Sequence, residues 1–259
     1  MKHEGSDTPR PVAWITGASQ GIGAALSLEL ARRGWRVAAS ARSEEKLAAL
    51  ARHSEAPPGA IRPYPLDVLD PAACLHTIEQ IERDWGPVGR AVLNAGTHRP
   101  MTAADFDREA FYELLELNVM GTVNSLQPLL QSMRRRQHGQ IAVVASLAGY
   151  RGLPTASAYG ASKAALINLC ECLRPELARD GVKLQVINPG FVKTPLTDRN
   201  TFPMPFLIEA PQAARHIARG LDQSRFEIRF PRRFALIMGL LRHLPYPAYF
   251  AITRRMLED

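Results

Sequence analysis

Short apolar runs rich in Val, Ile and Ala alternate along the chain with longer segments whose apolar positions recur at helical spacing. Pro11 to Thr16, Arg36 to Ala41 and Ile61 to Leu66 read as strands. Helical patterns run between and after them, from about Gly21 to Arg33, Glu44 to His53 and Pro71 to Trp85. Asp70 is placed to cap the third helix, with Pro71 at its first position. Ala91 to Leu93 opens a second half, with a long helix through Leu114 to Arg136 and a strand from Ile141 to Ala145. A helix at Ser157 to Arg179 and strands at Val182 to Ile187 and Phe226 to Phe230 complete the alternation. Strands that are apolar throughout, rather than at every second residue, are covered on both faces. The pattern therefore predicts an α/β fold: a doubly wound, mostly parallel sheet of seven strands with helices on both sides. No internal repeat or low-complexity segment interrupts it.

Composition narrows the classes of function. With 259 residues, 46% hydrophobic and 22% charged, the chain suits one large domain and not a disordered protein. No stretch reaches the ~20 apolar residues of a membrane span. The first ten residues hold no apolar signal core, so a cytoplasmic protein is expected. The net charge of +7 is carried by 27 arginines against 5 lysines. They are scattered, with no aromatic-basic interleaving, so no nucleic-acid partner is expected. Arg134, Arg135 and Arg136 fit a solvated helix end that complements the helix dipole. Cys74, Cys170 and Cys172 lack zinc-ligand spacing, and no HExxH occurs, so the expectation is no metal and three small buried side chains.

The candidate chemistry begins at Thr16-Gly17-Ala18-Ser19-Gln20-Gly21-Ile22-Gly23, between the first strand and first helix. Glycines there allow a tight turn and let a pyrophosphate approach the amides of a helix N-terminus. Asn94-Ala95-Gly96 follows the fourth strand; Asn118, Ser146, Tyr159, Lys163 and Asn188-Pro189-Gly190 with Val192 and Thr194 come later. In this order the motifs resemble those of the short-chain dehydrogenase/reductase family. The resemblance implies a Rossmann fold that transfers a hydride between a nicotinamide and a carbonyl or alcohol. It gives Tyr159 the role of general acid/base and Ser146 a hydrogen bond to the substrate oxygen. Lys163, one turn from Tyr159, would favour the phenolate and bond the nicotinamide ribose. Asn118 would hold that lysine through a water. Gly17, Ser19, Gln20, Gly21, Ile22, Gly23, Asn94, Ala95, Gly96, Tyr159, Lys163, Pro189, Gly190, Val192 and Thr194 would meet the cofactor, and Asp67 with Val68 its adenine.

Ala41 stands where NAD-dependent relatives carry an acid, and Arg42 follows, so NADP(H) is the expected cofactor, with NAD(H) possible. Gln20 leaves out a second basic residue found in some glycine loops. The loop from about 194 to 210 corresponds to the family's substrate loop; its Leu196 and Phe202, with Leu147, Tyr150 and Leu153 after Ser146, are the expected walls of a pocket for a hydrophobic small molecule. The same apolar loop would also serve an oligomer contact. The chain divides into a polar arm at 1–10, a catalytic domain at 11–230 and a basic, apolar helical extension at 231–259. That extension suits either a helix covering the core or a neighbouring subunit, or a peripheral membrane contact. The resemblance implies a homodimer or homotetramer. An NADPH-binding regulatory or peripheral membrane protein without turnover is the alternative reading.

Overall fold

The computed structural model describes residues 10–199 and 202–257, with only the backbone of Arg199. The polar arm lies outside these residues except for Arg10. Seven strands form one sheet in the order β3-β2-β1-β4-β5-β6-β9, every neighbouring pair parallel. They are β1 (Val12–Thr16), β2 (Arg36–Ser40), β3 (Ile61–Pro63), β4 (Val88–Leu93), β5 (Gly139–Val144), β6 (Val182–Pro189) and β9 (Glu227–Phe230). Two short strands, β7 (Val192–Lys193) and β8 (Ile208–Glu209), clip the base of the 194–210 loop. The predicted doubly wound sheet is therefore the observed one. The order reverses between β1 and β4, the position at which folds of this kind open a crevice at the strands' carboxyl ends.

Residues of successive parity in each strand feed two apolar layers. Trp14, Leu93, Ile141, Val143 and Leu184 face α3 (Pro71–Trp85), α5 (Gly121–Arg135) and α6 (Ser157–Arg179). Ile15, Val37, Val92, Ala142 and Ile187 face α1 (Gly21–Arg32), α2 (Glu44–Ala51) and α7 (Ala210–Leu221). Each of the larger side chains in these layers contributes about 1.5–3 kcal/mol through burial. The core is dense enough to fix β1, and with it the turn that follows.

Several expectations shift in detail. The long helix starts earlier, as α4 (Arg108–Leu115), because the Asp107 carboxylate accepts a bond from the Ala110 amide at 3.0 Å. It passes into α5 through a π-helical turn at Glu116–Met120, which carries Asn118. β3 stops at Pro63, although the Tyr64 and Leu66 amides still donate to Ala39 and Ala41. β4 begins at Val88 rather than Ala91, and its Arg90 is buried. The Arg90 guanidinium stacks 4.3 Å from the Trp35 ring and donates to Gln140 at 2.6 Å and Asp222 at 3.0 Å. Gln140 passes the chain on to Gln185, which caps the carbonyls of Gly220 and Arg225. A polar seam thus crosses three strands, with Arg90 and Gln140 just ahead of the ranges expected for theirs.

Two surface readings also change. Arg136 is not a solvated helix end: it pairs with Glu82 at 2.7 Å and donates to the Val88 carbonyl, while Arg134 bridges to Asp180. Cys74 and Cys170 are buried as expected, but Cys172 is exposed.

After β9 come α8 (Arg232–Leu241) and α9 (Tyr246–Arg255). Pro245 and Pro247 start the second of these helices rather than merely breaking the first. Both pack on the segment after β5. The Arg151 guanidinium donates to the carbonyls of Leu241, Arg242 and Leu244, and lies 4.0 Å from the Tyr249 ring and 5.0 Å from that of Tyr246.

Candidate active site

The glycine turn is built by steric necessity. Gly17 has φ +64°, and a Cβ there would lie 2.8 Å from the Ala95 Cα. A Cβ on Gly23 would meet the Gly17 carbonyl oxygen at 2.3 Å, so the first turn of α1 can close under the loop only with glycine there. Thr16 Oγ1 accepts from the Asn94 and Ala95 amides at 3.0 and 3.1 Å. The Asn94 side chain donates to the Thr16 and Gly17 carbonyls, both at 3.1 Å. The carboxyl ends of β1 and β4 are thereby locked together, and no side chain caps the start of α1, whose amides face outward.

Above this turn lies a cleft of about 390 Å³. Gly17, Ser19, Gln20, Gly21, Ile22, Arg42, Asp67, Val68, Asn94, Ala95, Gly96, Thr194 and Leu196 all line it. Lys46, which sequence reasoning missed, joins them: it sits on the first turn of α2, beyond Arg42, with Nζ 3.4 Å from Gln20 Oε1. Its signal was the spacing from Arg42 across a helix start. Ser43 caps that helix through the Lys46 amide.

Other expected cofactor residues lie behind the cleft. Gly23 is buried beneath the loop, and Val192 is buried in the core layer of α1 and α7. Gly190 packs against Phe234 and Pro231, and its amide bonds the Phe230 carbonyl. Pro189 presents its carbonyl to Ser146 Oγ at 3.4 Å.

Ser146, Tyr159, Lys163 and Asn118 converge beside the Gly96 end of the cleft. A Cβ on Gly96 would lie 2.9 Å from Asn118 Oδ1 and 3.6 Å from Lys163 Nζ. Ser146, two residues past β5, caps a single 3-10 turn at Leu147–Gly149 through the Ala148 amide. Tyr159 and Lys163 stand one turn apart on α6. Lys163 is buried; its ammonium donates to the Val144 carbonyl at 2.9 Å and lies 5.6 Å from the centre of the Tyr159 ring. Desolvation pulls its pKa down to about 8. Burial likewise pushes the Tyr159 phenol up, and a hydrogen bond with Ser146 acts the other way. The Lys163 ammonium is turned to the Val144 carbonyl, and the group that lowers the phenol here is Ser146.

Asn118 is fully buried, and its side chain is consumed locally. Oδ1 accepts from the Thr97 amide at 2.7 Å; Nδ2 donates to the Thr97 carbonyl and Ser162 Oγ, both at 3.0 Å. It fixes the loop after Gly96, and among the described residues it makes no direct bond to Lys163. The same loop brings the His98 ring edge-on to Tyr159, with centroids 4.7 Å apart.

The expected pocket walls need correction. Leu147 is 1% exposed, enclosed with Phe234, Met238, Leu241 and Tyr249, and Tyr150 and Leu153 pack on that cluster. The Tyr150 hydroxyl donates to Glu227. α8 and α9 therefore fill the space these three residues were expected to border, driven by burial of the tail's apolar side chains. Leu196 borders the cleft at Thr194 instead. Phe202 lies against Phe191, which stacks on Phe234.

Known proteins give this geometry its class. The family model for short chain dehydrogenases matches residues 11–202. An uncharacterized oxidoreductase of Myxococcus xanthus is 38% identical over 244 residues, 94% of this chain and 96% of its own. A 3-oxoacyl-(acyl-carrier-protein) reductase of Thermotoga maritima is 32% identical over 188 residues, 73% of this chain and 76% of its own. Among solved structures, a short chain dehydrogenase from Burkholderia cenocepacia in complex with NADP superposes with a TM-score of 0.82 at 25% identity, covering 94% of this chain and 97% of its own. The chain belongs to the short-chain dehydrogenase/reductase family of oxidoreductases. No helix among the described residues is long and apolar enough to cross a membrane.

Proposed function

We propose that the protein is an NADP(H)-dependent carbonyl reductase, or alcohol dehydrogenase in reverse, with Tyr159 as general acid/base. The observation that carries this reading is the meeting of Ser146, Tyr159 and Lys163 beside the Gly96 end of a cleft whose far end is basic. The residues fit the cofactor: glycines lie where a diphosphate approaches uncapped amides, and Arg42 and Lys46 stand beside Ala41 where a 2′-phosphate needs cations. The NADP bound by the Burkholderia relative supports the same choice; NAD(H) remains the weaker partner, since Arg42 and Lys46 have nothing to neutralise on it.

When bound, the reduced nicotinamide supplies the hydride. This chain's residues supply the proton and the geometry. Tyr159 Oη gives its proton to the carbonyl oxygen, and Ser146 Oγ donates a hydrogen bond to the same oxygen as charge develops on it. With burial pushing the phenol up, Tyr159 is protonated near neutral pH, the form that donates. Lys163 sets the polarity beneath the ring, and Asn118, through Thr97 and Ser162, positions the walls around both. The apolar loop at 194–210 and the 3-oxoacyl substrate in the name of the Thermotoga relative make hydrophobic 3-oxoacyl compounds the first class to assay.

The test is NADPH oxidation, followed by absorbance, against 3-oxoacyl thioesters, medium-chain ketones, steroids and quinones. Tyr159→Phe should lower kcat by about a hundredfold or more while leaving NADPH binding intact. Full activity in that variant would sink the assignment; turnover of nothing in the panel by a protein that binds NADPH would favour the regulatory alternative.

A further inference from the structure

The two C-terminal helices carry an apolar face that no described residue covers. On α8, Phe234, Ala235, Met238 and Leu241 turn inward, while Arg232, Arg233, Leu236, Ile237 and Leu240 share the opposite arc. Leu236 and Leu240 are 63% and 64% exposed. On α9, Tyr249 and Thr253 are buried, but Tyr246 and Phe250 stack on each other in solvent and Leu257 lies beyond them, 67% exposed. Exposed large apolar side chains gathered on one face of a helix mark an interaction surface.

Charge decides which partner the face fits. From Pro231 to Leu257 the sequence holds five arginines and no carboxylate; Glu258 and Asp259 close it. All five guanidinium side chains are exposed, and none forms an ion pair with another described residue. A second copy docked through the same face by a two-fold axis would set arginines against arginines. An anionic bilayer answers both features: apolar side chains enter the acyl boundary, Tyr246 sits at the interface and arginines meet lipid phosphates. We propose that the outer face of α8 and α9 docks this protein on the surface of anionic phospholipid membranes. With no spanning helix among the described residues, the contact is with one leaflet. The inner face of α8 holds the substrate-loop aromatics: Phe206 lies 6.1 Å from Phe234, and Phe202 reaches it through Phe191. Docking would therefore leave α8 between the lipid and Phe206. The docking itself does not depend on the assigned reaction.

Full-length protein should be sedimented with vesicles of phosphatidylcholine alone and of phosphatidylcholine with about 30% phosphatidylglycerol, at low and high salt. Binding is expected on the anionic vesicles only, with a loss at high salt. The exposed double variant Leu236→Asp/Leu240→Asp should partition at least roughly tenfold less, with an unchanged near-UV circular dichroism spectrum and NADPH affinity to show that it folds. Arg232→Ala/Arg233→Ala should weaken binding and flatten its salt dependence. The proposal is overturned by no binding to anionic vesicles, by equal binding to both vesicle types, or by binding the double variant retains. It is equally overturned if light scattering shows a dimer that Leu236→Asp splits while vesicles are ignored.

Discussion

Replacing Lys163 by methionine should make the protein more stable while abolishing its turnover. Burial moves the lysine from 10.5 to about 8. At about 1.4 kcal/mol for each pKa unit, holding the charged form in that site costs about 3 kcal/mol wherever the pH lies below 8. Methionine fills similar space without that cost, but it leaves the Val144 carbonyl without the 2.9 Å bond from Nζ, a loss of about 1–3 kcal/mol. The balance is a net gain of about 1 kcal/mol at pH 7, or a rise in Tm of about 2–4 °C for a chain of this size. The sign of the pH dependence is diagnostic. Between about 8 and 10.5 the unfolded chain binds the lysine proton and the folded protein does not, so parent stability rises with pH across that window. The variant lacks this rise. Its advantage should be greatest below pH 8 and should vanish or reverse toward 10.5. Thermal unfolding followed by circular dichroism at pH 7 and pH 10 measures it, with NADPH oxidation as the activity arm. A variant less stable than the parent at pH 7, with its deficit shrinking as pH rises, would refute the claim that desolvation dominates at this site.

Two further perturbations probe the ends of the molecule. Arg42→Ala combined with Lys46→Ala should raise KM for NADPH by about 10–100-fold, the worth of one or two charge-assisted hydrogen bonds, while KM for NADH stays nearly constant; steady-state kinetics with both cofactors would show an equal loss if the cations served only the fold. Arg151→Ala removes the donor to three carbonyls and the cation beside two tyrosine rings. It should destabilise the protein by about 2–3 kcal/mol and speed limited proteolysis within 232–257, read by mass spectrometry of the fragments; an unchanged digestion pattern would mean that the tail is held by its apolar contacts alone.

Much of the fold was legible because it rests on local chemistry repeated in order. Apolar runs bounded by glycine and proline place the strands to within a few residues, and parallel pairing follows from the helices between them. Where the run was broken by a charged residue, as at Arg90, the strand was cut short on paper. Its guanidinium is buried only because Trp35, Gln140 and Asp222 arrive from distant parts of the chain. α7 went unread although Glu209 and Gln212 form a capping box and its buried Ala213, Ala214, Ile217, Ala218 and Leu221 recur at helical spacing; the signal was present in the sequence. The candidate site follows the same division. Tyr159 with Lys163, and the glycine loop, are set by spacing within single elements. Lys46 reaches the cleft only because α2 packs beside the turn at Gln20.

The substrate side shows why such reasoning stops where it does. Nearness in sequence to Ser146 made Leu147, Tyr150 and Leu153 look like walls of a pocket. Those side chains could line open space only if nothing else competed for their surface, and Phe234, Met238, Leu241 and Tyr249 compete successfully from about a hundred residues away. With the segment after Ser146 covered, Phe202 and Phe206 of the loop, Phe191 and Phe234 of α8 share one run of aromatic contacts. In the proposed reaction a short local motif fixes how the proton moves. What reaches it depends on a tail that carries no catalytic side chain, so specificity in this protein should change more through substitutions at Phe202, Phe206 and Phe234 than through any residue adjoining Ser146 in sequence.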